Sequence, residues 1–550
     1  MMKEGRNSWP GPVLALAVMA SAAFSLAVGR GEHVPRASDH GPVPTISPEN
    51  AFLEPGGAIT IRTSAGSRLW YGHQGDPPAI TTSDGVVLRA EPHSRSIARM
   101  LATPTAMHWR HPMPGLPEAV VVRAAEGDRS HGPFVMRTYL ADLHGDLPVI
   151  SIAVEEDDLF GASRGIAVVG DGILKASQEV LTSYAQDLRW WKYPGNYHGR
   201  GKGWQREARM QIIGNDGREI LQTDVGLRIN GQMTRGFPQH AFRLLFKDPL
   251  PIGPFTGGQG KGARSLVLRA AGNDQVKAMM RDAYQHALCA GLPFETSRAM
   301  TCVLYINGAY MGVYHLRERI DEKELARRYD VSAKRITILE DKNELYRGDS
   351  VDMERFLRLM SRTEKWNGKD PVWLDTLEAH LDVNGFLTYM ASQMVLGNMD
   401  WPRQNVKYWR YTGKPRDQAP LDGRWYFIMG DSDLGSGANA PVSTDLFVKV
   451  KAAHVPVSRL FLAMLRSPEL KERFTRIVDR LISGPLSPST CVHRMDSLVG
   501  LMEPEMERHT ARWRKPTDIA AWRTEVAVMR GFAEQRAGIV REQMNAFEKP

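Results

Sequence analysis

A chain of 550 residues, 42% hydrophobic and 24% charged, is too long for one core and too apolar to be disordered, so about three domains are expected. Its net charge of +8 is spread along the whole length, with no dense basic run or interleaved aromatics, which argues against nucleic-acid binding. Three cysteines (Cys289, Cys302 and Cys491) exclude a disulfide framework and lack zinc spacing, leaving at most one bridge, for which Cys289–Cys302 is the candidate.

Lys3 and Arg6 precede an apolar run, Pro12–Val28, the pattern of an export signal. Residues 1–29 are therefore read as a signal peptide or, since the run is near the lower limit for a span, an uncleaved anchor and the one membrane contact. An exported protein is expected, whether periplasmic, in the cell envelope or extracellular. Residues 30–57, with Pro35, Pro42, Pro44, Pro48 and Pro55, read as a stiff linker. Over 58–145, short stretches at Ala58–Arg62, Leu69–Tyr71, Gly85–Ala90 and Ala119–Ala124 alternate with turn residues, as in a small β-sandwich. The segment Trp70–Pro78 resembles a degraded hairpin of chitobiase C-terminal-like modules, which implies a structural spacer.

Residues 146–480 read as a second unit. Its first part, about 146–330, has strand candidates at Leu147–Ile152, Arg209–Ile213, Val225–Asn230, Phe242–Phe246, Leu266–Arg269 and Cys302–Ile306. One helix is expected over Gln275–Leu288. Its second part, about 331–480, turns helical at Met353–Met360, Trp373–Leu381 and Gly385–Leu396, the last with Asp382 as cap, around a strand pair Val406–Tyr411 and Arg424–Met429. Residues 481–550 read as a helical C-terminal extension. The fold class expected is multidomain α+β.

The chemistry concentrates after the Gly385–Leu396 helix. Asn398-Met399-Asp400-Trp401-Pro402-Arg403-Gln404-Asn405 precedes the strand pair, and Gly430-Asp431-Ser432-Asp433-Leu434-Gly435 follows it. Phosphoryl transfer needs one carboxylate on the nucleophile's proton, and an amide oxygen with a second carboxylate on Mg²⁺. Asp400 and Asn405 have the Asp-x4-Asn spacing of a kinase catalytic loop, and Asp431 or Asp433 would supply the metal turn. The alternative is that Asp400 and Asp431 only cap or turn the chain.

Several ordered motifs resemble the CotH family of kinase-like spore-coat proteins. Gly226–Arg243 is similar to its "IRIRG-SSRGFPQKSFR" segment, and Leu266–Arg269, Asn273-Asp274 and Met280–Asp282 to "LVLR...ND...MRD". Tyr305–Tyr314 with Arg317–Asp321 resembles "INGEYWGVYNLRERID", while Asn398–Asn405 and Trp425–Gly435 resemble "NWDWP-NN" and "W-W-DLDFG". Leu147–Ser151 and Gly165-Ile166 resemble the lead-in, so the likeness covers about residues 147–440.

The resemblance implies an atypical two-lobe kinase-like core that binds ATP with Mg²⁺ or Mn²⁺ and phosphorylates a secreted or envelope protein. By position Asp400 would be the catalytic carboxylate, with Asn405 and Asp431 as metal ligands and Asp433 a second candidate. Gly231, Thr234 and Arg235 would form the phosphate-covering turn, Arg243 and Arg281 would face phosphates, and Glu318 would line the nucleotide cleft beside a cation. His240 stands where the family usually has Lys, and Met233-Thr234 where it prefers two small hydroxyl residues. A neutral His supplies no permanent charge to a phosphate, so a non-catalytic assembly protein stays open beside the enzyme.

A third reading, a carbohydrate-binding surface protein, rests on the sandwich and on Trp190-Trp191, Tyr193, Tyr197 and Trp204, which equally suit packing. His198 and His240 lack metal-ligand spacing, and Ser392, His315 and Asp321 form no triad pattern.

Overall fold

The computed structural model describes residues 43–548, apart from 65, 92–108, 128–133, 142–144, 188 and 251–261. The predicted export segment and most of the predicted linker lie outside the described residues. Among the described residues, no helix is long and apolar enough to cross a membrane.

The chain first forms two small antiparallel sheets. One orders Thr45–Ser47, Ala58–Arg62 and Gly85–Arg89; the other orders Ala79–Thr81, Leu69–His73, Val120–Glu126 and Val135–Tyr139. Alternate residues Ile59 and Ile61 of the first sheet meet Leu69, Val120, Val122 and Ala124 of the second in one core, the packing expected of a sandwich. The first strand falls inside the predicted linker, because Ile46 is buried and pairs with Ile61.

Beyond it, seven strands close into a barrel in the order Glu219–Asn230, Ala241–Leu250, Ala263–Arg269, Ala309–Glu318, Ala299–Ile306, Val149–Val154 and Arg206–Ile213. All neighbours are antiparallel except Val149–Val154 against Ala299–Ile306. Inward residues such as Ile150, Ile212, Leu227, Leu244, Leu268 and Leu304 fill the barrel, so it is a core and not a pore. The opposite face carries Arg228, Arg243, Arg269 and Arg317.

Two expectations for this region are corrected. The predicted Gln275–Leu288 helix is a 3-10 turn at Gly272–Val276 followed by a helix at Arg281–Leu288. The Asp274 carboxylate accepts from the backbone N–H groups of Ala278 and Arg281 at 3.2 and 2.9 Å, and Met279 takes a left-handed φ of 64°. The Cys289–Cys302 bridge does not form: all three cysteines are free, with Cys302 inside the barrel and Cys289 in the helical core.

A second sheet orders Glu344–Arg347, Ile336–Glu340, Val406–Tyr411 and Trp425–Met429. Against it lies the Val383–Val395 helix, buried almost throughout, with Asp382 at its N-cap position. Side chains of Asp349, Asp370, Asp445, Ser467 and Ser487 cap further helices in this body. The C-terminal helices, Pro488–Trp513 and Ile519–Glu548, are packed against the core and do not stand apart from it. Trp513 Nε1 donates to Met311 O of the barrel at 2.8 Å, and Arg536 Nη2 to Met394 O at 2.8 Å.

Candidate active site

The outer face of the barrel and the Asp-rich turn after Met429 enclose a cluster of charges. Asn398 laces its two acidic segments together: its Nδ2 donates to Asp431 O at 3.2 Å, and its Oδ1 accepts from Asp400 N at 3.3 Å. Met399 N also donates to Leu434 O at 3.2 Å. Asp400 and Asp431 are thereby neighbours. Burial, and then the nearby Asp431 charge, raises the Asp400 carboxyl above its ordinary range, with Lys449 opposing. Asn405 takes a left-handed φ of 64°, and its carbonyl abuts Gly430, where a Cβ would come within 2.4 Å. The Asp341 carboxylate supports this loop by accepting from Val406 N at 3.2 Å.

The barrel supplies the cations. Arg269 Nη2 bonds both Asp431 Oδ1 and, at 3.2 Å, Asp433 Oδ2, while its Nε lies 3.5 Å from Asp282 Oδ2. Arg317 pairs with the same Asp282, whose Oδ1 accepts from Ser432 N at 3.1 Å. His286 accepts from Ser297 N at Nδ1, which leaves Nε2–H to donate to Gly430 O at 2.9 Å. Burial disfavours the Asp431 charge, but Arg269 and then Arg317 outweigh it and hold the carboxyl below the usual range. Asp433 is deeper. Burial and the adjacent Asp431 charge push it up, while Asn273 N donates to its Oδ2 at 2.7 Å.

The other predicted residues divide. Gly231, with φ 108°, and Thr234 form the turn between the first two strands of the Glu219–Arg269 meander, at the barrel end where Arg269 sits. Arg235 in that turn is spent on backbone carbonyls: Nε donates to Gly231 O at 2.7 Å, and Nη1 to Gly199 O at 2.9 Å. Arg243 stays half-buried on the outer face, 3.6 Å from Asp321. Glu318 is buried and pairs with three cations, Arg298, Arg328 and Arg327, at 2.7, 2.7 and 3.2 Å.

Two residues do not face the cluster's opening. Arg281 is fully buried against Asp274 and Glu525. His240 is sealed beside Ala167 O, and burial lowers it to about 4, so it stays neutral. Trp191 packs its backbone on Gly236, and the Trp204 ring lies over Gly199, so these aromatics brace the turn.

Among the described residues, no group of three or more His, Cys, Asp or Glu side chains is arranged to hold a metal. Asp431 nevertheless keeps a third of its side chain exposed, and its Oδ2 accepts no hydrogen bond among the described residues. One or two carboxylates beside an amide oxygen fit Mg²⁺ or Mn²⁺ that brings phosphate oxygens and water with it.

A family model described as CotH kinase protein matches residues 227–540. The chain belongs to the CotH kinase family. The matched span starts inside the barrel and ends within the Ile519–Glu548 helix, taking in Asp400, Asn405, Asp431 and Asp433. Among curated proteins, no significant match is found. Arg269 and Asp282 both lie within the matched span. Sequence alone points to no role for either, because only the fold brings a strand end and a helix start to the Asp-rich turn.

Proposed function

We propose that this protein transfers the γ-phosphoryl group of ATP to a hydroxyl group of a secreted or envelope protein. The barrel and the helical body are read as the two lobes of a kinase-like core. The observation that carries this reading is the meeting of Asp400 and Asp431 over the Arg269–Asp282 pair. Kinases require a cation on the third strand of the small lobe, paired with an acid on the following helix, beside a metal-binding Asp. Arg269, at the end of the fifth barrel strand in chain order, lies 3.5 Å from Asp282 on the following helix and contacts Asp431, an arrangement that supports the comparison though not from the third strand.

In this reading Asp400 takes or orients the proton of the acceptor hydroxyl, and its raised affinity for protons suits that role. Asn405 and Asp431 would hold Mg²⁺ or Mn²⁺, with Asp433 behind them, and the Gly231–Gly236 turn would cover the phosphates. When bound, the metal neutralises charge on the phosphate oxygens. The N-terminal segment 1–29 is proposed to direct export.

Calorimetry of the full chain with ATP tests the nucleotide claim, and label transfer from γ-labelled ATP to a hydroxyl-rich protein tests the chemistry. Saturable binding that is lost in chelator, with label incorporated, is expected. Equal ATP binding with chelator would sink the metal-dependent reading. Metal-dependent binding without any transfer would instead favour the non-catalytic alternative, to which the closed Arg269–Asp431–Asp433 contact lends support.

A further inference from the structure

We propose that Arg269 is the resident counter-ion of the Asp431–Asp433 pair and that a divalent cation enters only when nucleotide draws this guanidinium away. The inference rests on the metal-dependent reading of the site and adds a condition to it: metal binds together with nucleotide or not at all.

Three observations carry it. First, one guanidinium nitrogen, Arg269 Nη2, touches a carboxylate oxygen of Asp431, which would hold the metal, and one of Asp433 behind it. Second, a further cation backs it: Arg317 pairs with Asp282, so Asp282, Asp431 and Asp433 face two guanidinium groups. A divalent ion added to that set meets repulsion from both, whereas phosphates would add the negative charge that the two arginines then share. Third, the contact is built in. Gly272 has φ 62°, and a Cβ there would fall 2.0 Å from Asp433 Oδ2 and 2.7 Å from Arg269 Nη2. The backbone is shaped to let the two side chains meet. Asp282 lies within reach of the same guanidinium, 3.5 Å from an Nε that is buried without a hydrogen bond.

The test is Mn²⁺ uptake by the full chain, followed by electron paramagnetic resonance without nucleotide. Wild type should show no saturable uptake until ATP is added. Arg269→Gln should take up Mn²⁺ alone, about tenfold or more tightly than wild type, because a unit charge some 4 Å from the ion has gone. Should Arg269→Gln fail to fold by itself, millimolar Mn²⁺ should restore its cooperative melt. The proposal is overturned if wild type binds Mn²⁺ alone as tightly as the variant does. It is equally overturned if the variant gains nothing or stays unfolded in Mn²⁺. Absence of phosphoryl transfer would count against the kinase reading only, since the Mn²⁺ comparison needs no turnover.

Discussion

Asp274 and Arg281 form an ion pair in which neither side chain retains any solvent exposure. Arg281 was expected to face phosphates. Instead it holds the chain reversal before the Arg281–Leu288 helix and reaches Glu525 on the last helix at 2.9 Å. Removing one partner of a buried pair strands the other, so Arg281→Ala should cost about 3–5 kcal/mol of stability. Urea unfolding measures this. A variant of native stability with weakened nucleotide binding would return Arg281 to the phosphate site.

Asp400 and Asp431 should fail in different ways. Asp400→Asn should keep the fold and metal–nucleotide binding while slowing transfer by about 10²–10⁴-fold. Asp431→Asn removes a charge that faces Arg269 and, in the proposed site, the metal, so it should weaken metal–nucleotide binding itself. Transfer that survives Asp400→Asn undiminished would leave Asp400 a turn former, a role Asn fills equally well.

Gly272→Ala probes the same cluster through the backbone. Its left-handed φ disfavours a side chain by about 1 kcal/mol, and the added Cβ would collide with the Asp433 carboxylate. Loss of both thermal stability and ATP-dependent Mn²⁺ uptake is expected. A melt and an affinity equal to wild type would show that the Arg269–Asp433 contact is dispensable.

Acid should destabilise the protein through its sealed histidines. Burial lowers His240 and His315 to about 4 and His509 to about 3. Between pH 6.5 and 4 the unfolded chain therefore binds protons that the folded chain refuses. The stabilisation is complete above about pH 6.5 and is lost as pH falls through the folded values, at roughly 3 kcal/mol per histidine. Denaturant melts across this range should show stability falling with pH, less steeply for His315→Gln. A flat profile would mean that these rings are not sealed.

Local signals were enough for most elements and for the acidic loops. Asp-x4-Asn and the Asp-rich turn are short, continuous stretches, and Asn398 holds them together much as their order suggests. The cations were harder to read because they depend on register. Arg317 enters the cluster through its pairing with Val267, two positions from Arg269, and Asp282 enters through the reversal at Met279. That reversal also turns Arg281 inward, where the family resemblance implied a residue facing phosphates. Barrel closure, with Val149 opposite Val303, joins segments far apart in the chain and leaves no local trace.

The contact between Arg281 and Glu525 sets a timetable for the molecule. Asp282, Asp400, Asp431 and Asp433 have all been synthesised once residue 433 is made, yet the helix that starts at Arg281 is braced by Glu525 on the Ile519–Glu548 helix. At about 5–20 residues per second, the interval from Asp433 to Glu525 lasts roughly 5–20 s. A nascent chain spends that time with the cluster made and its brace missing. The Arg281–Leu288 helix therefore gains its full set of ion pairs only after Glu525 has been made.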